Sequence, residues 1–123
     1  MALAYLLDEH LRGPLWRAIE SHNRRAAEVI DAVRVGAVED LPLGTADQEL
    51  LVWTERENRI LVTLDRRTMP VHLARHLEAG GHCPGIFALR REAQVSRVVS
   101  FLVLAAYASE PKEWADRIEY VDA

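Results

Sequence analysis

The chain has 123 residues, half of them hydrophobic, which suits one compact domain spanning residues 1–123. Its net charge of −4 provides no bulk basic field for nucleic acid, and its single cysteine, Cys83, excludes an internal disulfide. The longest apolar stretch, residues 98–108, is interrupted by Ser100 and is too short to span a bilayer.

Met1 is followed by a brief apolar run that reaches Asp8 and Glu9 with no cationic region or cleavage signal. A reducing, cytoplasmic setting is therefore expected. The basic residues are lopsided: fourteen arginines and one lysine, Lys112. Arginine's planar fork grips phosphate or carboxylate at two points.

In chain order, residues 3–7 form a short apolar run without polar alternation, the pattern of a strand covered on both faces. Asp8 ends it. Gly13-Pro14 opens a helix whose apolar side is Leu15, Trp16 and Ile19, with Pro14 tolerated in the first turn. Residues 29–35 read as a second strand, and Pro42 and Gly44 punctuate the loop after it. Thr45 and Gln48 have the spacing of a capping box, which predicts a helix running to about Asn58. Residues 60–64 are a third strand and 70–79 a helix closed by Gly80-Gly81. A fourth strand over 85–89, a long apolar helix over 92–109 and a last strand over 118–121 complete the chain. Strands alternating with helices predict a three-layer α/β/α domain around a mainly parallel sheet.

In such a sheet, function gathers at the carboxyl ends of the strands. Asp8 and Asp65 both follow strands, and Asp47 falls in the first turn of a helix that returns to the third strand. The three carboxylates are expected to converge if the first and third strands are neighbours. Acids that close repel one another unless a cation neutralises them. A few hard oxygen ligands with waters left over suit Mg²⁺ or Mn²⁺, which activates water and stabilises a phosphoryl transition state.

The stretch TADQELLVWTERENRILVTLDRR resembles the closing motif of PIN-domain ribonucleases, in which a helix acid precedes a hydrophobic strand and Thr-x-Asp. Thr63-Leu64-Asp65 matches the Thr-x-Asp, Asp47 the helix acid, and LLDEHL the opening strand with its first acid, Asp8. The likeness extends over roughly residues 3–90 and is nearest to small bacterial PIN-like proteins suspected to be toxins of toxin–antitoxin pairs. It implies a metal-dependent endoribonuclease with Asp8, Asp47 and Asp65 as Mg²⁺ or Mn²⁺ ligands and Thr63 steadying them. RNA would be the substrate and an antitoxin protein a partner. A full PIN site has a fourth acid, for which Glu39 and Asp40 are the nearest candidates, and many relatives carry an acid and an aromatic where this chain has Arg67 and Met69. The alternative is a PIN-like module that binds RNA or a protein without cleaving it.

Arg12 follows the first acid and Arg66 and Arg67 follow the third, positions suited to neutralising a phosphodiester backbone. His72 and His76, at i and i+4 before His82 and Cys83, have a spacing that can grip zinc, but no second clean ligand pair accompanies them. A receiver domain needs a lysine at its last strand, and Lys112 is in the wrong region. LLDEHLRG lacks the glycines of a dinucleotide-binding turn. Val95, Val98, Val99, Leu102 and Ala106 make a continuous stripe, extended by Phe101, Val103 and Leu104. A helix apolar nearly all round is buried, and part of that burial is expected against a second copy in a homodimer.

Overall fold

The computed structural model describes residues 2–11 and 13–123. Five strands, β1 (Ala4–Leu7), β2 (Asp31–Arg34), β3 (Ile60–Thr63), β4 (Ile86–Leu89) and β5 (Ile118–Val121), form one sheet in the order β2-β1-β3-β4-β5. Every neighbouring pair is parallel. Four helices alternate with them: α1 (Pro14–Arg25), α2 (Asp47–Glu57), α3 (Met69–Glu78) and α4 (Val95–Ala108). Short 3₁₀ turns at Glu9–Leu11 and Pro111–Glu113 complete the order. The predicted α/β/α architecture is the observed one.

Strand side chains alternate between faces, so each buried run divides its residues between two cores. Tyr5, Leu7, Ile60, Val62, Phe87 and Leu89 pack under α1 and α4, with Leu15, Ile19, Val98 and Leu102. Leu6, Leu61 and Ile86 point the other way, against Leu50, Leu51, Trp53 and Leu73 of α2 and α3. Burial on both faces explains why β1, β3 and β4 read as unbroken apolar runs. Polar ties hold the layers in register. Tyr5 donates its hydroxyl to the Leu102 carbonyl at 2.7 Å, and burial raises its pKa. Arg59 joins two strands at their amino ends by reaching the Tyr5 carbonyl (3.1 Å) and the Asp31 carboxylate (2.9 Å).

Four local readings need correction. The second strand is shorter than residues 29–35: Val29 lies outside it and is exposed, while Ile30 is pinned by Asn23, whose side chain bonds both its N–H and its carbonyl. The capping box does not form. Thr45 instead donates its hydroxyl to the Pro42 carbonyl at 2.6 Å within a turn, and Gln48 reaches the His72 carbonyl of α3. Ala46 is consequently the N-cap, without a side-chain cap. The last helix starts at Val95 rather than residue 92 and is amphipathic rather than buried all round: Val98, Leu102, Ala105 and Ala106 face the core, whereas Leu104 is 65% exposed.

Candidate active site

The chain leaves β1 for β2 on one side, while β3 lies on the other, so the sheet's switch point falls between β1 and β3 at their carboxyl ends. Asp8 emerges there. Its N–H continues the ladder to the Val62 carbonyl (3.0 Å), which fixes its direction. It is only 8% exposed, and its oxygens are held separately. Oδ1 accepts from the Glu9 N–H at 2.7 Å and Oδ2 from the Thr63 hydroxyl at 2.9 Å.

Thr63, the fully buried last residue of β3, ties the Asp8 carboxylate to the main chain at Asp65. It donates to Asp8, and the same oxygen accepts the N–H of Asp65 at 3.0 Å. Asp65 then turns onto the start of α3: Oδ1 accepts from the N–H groups of Arg67 (3.1 Å) and Thr68 (2.9 Å), and Oδ2 from the Thr68 hydroxyl. Burial is the largest single influence on its acidity and raises the pKa. Hydrogen bonds from Thr68 and Arg67 together outweigh it and leave the carboxyl below its ordinary range.

Asp47, the first residue of α2, has the opposite balance. Burial first, then the nearby charge of Asp8, push its pKa up, with Asp65 and Glu9 adding to the rise and His72 opposing it. His72 Nε2 lies 3.4 Å from Asp47 Oδ2, so one of the zinc-spaced histidines faces the acids. Its companion His76 is turned away, bonded to Glu55 at 2.7 Å and to the His82 carbonyl at 2.9 Å.

Asp8, Asp47 and Asp65 therefore line one cleft of ≈ 1070 Å³, and Glu9 lines it with them. Glu9 is a site residue that the search for a fourth acid missed. Of the two nearest candidates, Asp40 pairs with Arg56 (3.3 Å) beside Leu41 and Trp53, and neither it nor Glu39 lines the cleft. The signal for Glu9 was present as the Asp8-Glu9 pair, but nothing local says that the 3₁₀ turn points the second acid inward. Its Oε1 accepts from the Gly44 N–H at 2.9 Å, clamping the turn before α2. Arg66 and Arg67 also line the cleft, joined by Arg90 and Arg91 from the end of β4. Arg12 lies outside the described residues.

Among the described residues, no three His, Cys, Asp or Glu side chains are grouped to hold a metal ion. The acids share a cleft and an electrostatic field, and Asp65 commits its oxygens to the α3 N-terminus. What the fold and cleft define is a doubly wound α/β domain with a two-signed cleft at its switch point. No family model, no curated protein and no solved structure matches this chain.

Proposed function

We propose that the protein is a PIN-like, Mg²⁺- or Mn²⁺-dependent endoribonuclease. The observation that carries the reading is the Thr63 hydroxyl tying the Asp8 carboxylate to the backbone N–H of Asp65 at the switch point, with Asp47 lining the same cleft. The carboxylate oxygens of Asp8 and Asp47 suit a hard cation. Mg²⁺ commonly keeps several waters and takes one or two carboxylates plus substrate phosphate, so a pair of acids suffices. Asp8 and Asp47 would hold the ion, and the backbone N–H of Asp65 would position Asp8 through Thr63 while the Asp65 carboxylate stays bonded to Arg67 and Thr68. When bound, such an ion supplies charge neutralisation and an activated water. The chain's own contribution is placement: β1 and α2 set the two acids, and Arg66 and Arg67 attract the phosphodiester.

The resemblance to toxin-like PIN proteins extends the proposal to a cytoplasmic toxin with a protein antitoxin. A neighbouring gene for a small DNA-binding protein would support that extension. The test of the core reading is Mn²⁺ calorimetry together with RNA cleavage, on the wild type and on Asp8→Asn. Metal binding and cleavage that are both lost in the variant support it. Wild-type protein that binds RNA without metal uptake or cleavage favours the second reading, a non-catalytic RNA- or protein-binding module. The engagement of the Asp65 carboxylate by Arg67 and Thr68 favours that alternative.

A further inference from the structure

The cleft carries both signs of charge, unevenly placed. Asp8, Glu9 and Asp47 come from the β1 and α2 side, while the ends of β3 and β4 bring Arg66, Arg67, Arg90 and Arg91 together with Asp65 and Glu92. The four arginines outnumber the two acids there and draw an anionic strand to that second side.

Arg66 is the best-held arginine on that second side. Its guanidinium lies over the Tyr120 ring, 5.0 Å from the centroid, so β5 splints a side chain that lines the cleft. Its Nη1 is buried and has no hydrogen-bond acceptor. A buried donor without an acceptor is costly, and a small shift of the guanidinium that brings it to a phosphate oxygen would relieve the cost. Beside it, Arg90 reaches carboxylates only at long range, Glu92 at 3.8 Å and Asp122 at 4.0 Å. Arg91 is exposed. Neither commitment competes strongly with a bidentate phosphate.

We propose that Arg66, splinted by Tyr120 and flanked by Arg90 and Arg91, is a second phosphate subsite that holds the group neighbouring the one presented to Asp8 and Asp47. The inference rests on the ribonuclease reading and deepens it. The ligand is a strand with at least two successive phosphates.

The test is fluorescence anisotropy of a labelled short oligoribonucleotide without divalent cation, so that binding is read apart from cleavage. Wild type is compared with Arg66→Ala, Arg66→Lys, Tyr120→Leu and the α1 surface control Arg24→Ala, each checked by circular dichroism. Arg66→Ala is expected to weaken binding about tenfold and to lower the salt slope by about one. Arg66→Lys, which keeps charge but loses the planar stack, and Tyr120→Leu should fall between wild type and Arg66→Ala. Arg24→Ala should bind like wild type. Inorganic phosphate should compete only at far higher concentration than the oligonucleotide. Folded Arg66→Ala that binds as tightly as wild type overturns the subsite, as does wild type that binds no RNA. Cleavage on adding Mn²⁺ is scored separately: binding that depends on Arg66 without cleavage overturns the ribonuclease reading and leaves the subsite standing.

Discussion

Thr63 shows how much one hydroxyl does at the end of a strand. It is fully buried and serves as donor to Asp8 and acceptor from the Asp65 N–H. Thr63→Val keeps the shape but orphans both partners, so a loss of about 1–3 kcal/mol in urea unfolding is expected. No change in midpoint would mean that the hydroxyl holds nothing together. Asp47 points the other way. Its folded-state pKa is raised, first by burial and then by Asp8, so the folded protein binds this proton more tightly than the unfolded chain does. Its contribution to stability is therefore greatest at low pH and is lost as pH rises from the ordinary carboxylate range through the raised value. Asp47→Asn should accordingly be more stable than wild type at neutral pH, by up to ~1 kcal/mol because the side chain is partly solvated. A melting temperature at pH 7 equal to or below that of wild type would contradict this.

At the scale of elements, the amino ends of β4 and β5 are tied by a polar cluster. Asp116 bonds the Cys83 N–H at 2.8 Å and faces His82 at 3.3 Å, while Glu55 accepts from the His82 N–H at 2.9 Å and contacts His76 at 2.7 Å. Both acids have lowered pKa values, Glu55 first through the His82 N–H and Asp116 first through the Cys83 N–H. Depressed carboxyls stabilise above their ordinary range, and the contribution is lost as pH falls through the lowered values. The double variant Glu55→Gln/Asp116→Asn should show a flatter decline of stability below about pH 4 in acid titration by circular dichroism. Nearby, Gly85 has φ +138, and a Cβ there would meet the Trp114 carbonyl oxygen at 2.9 Å. Backbone cannot yield cheaply, so Gly85→Ala should cost about 1–3 kcal/mol and weaken the docking of β5 on β4. Thermal unfolding indistinguishable from wild type would reject that reason for the glycine.

For the whole molecule, no helix among the described residues is long and apolar enough to cross a membrane. The face of α4 away from the sheet carries Leu104 and Tyr107 in the open, with Val29 close enough for its carbonyl to accept the Tyr107 hydroxyl at 2.6 Å. If copies of the chain pair through this face, as the apolar run of α4 predicts, Leu104→Arg should convert the dimer to a monomer. Light scattering that gives the 13.9 kDa monomer mass for the wild type across a wide concentration range would dismiss the dimer. Cys83 is 2% exposed, and burial pushes its thiol up to about 11. A thiol reagent should leave it unmodified in native protein and titrate it after denaturation, since the thiolate is the reactive species.

The apolar runs of β1, β3 and β4 were legible because a strand buried on both faces needs no polar alternation, and that requirement is local. The acids that end β1 and β3 were legible for the same reason, since position in a strand can be counted along the chain. What could not be counted was direction. Thr45 and Gln48 have capping-box spacing, yet each found a better partner in the 42–45 turn or in α3. Asp65 reached the cleft but spent its oxygens on Arg67 and Thr68 in the turn before α3, and Glu9 entered it because a 3₁₀ turn and the Gly44 N–H aimed it there. Tyr120 came under Arg66 only because β5 pairs with β4 at the sheet edge. Periodicity records which residues must leave water, and the sequence alone determined that. Where a polar side chain points depends on hydrogen-bond partners many residues away, and only the packed sheet and its crossovers decided it.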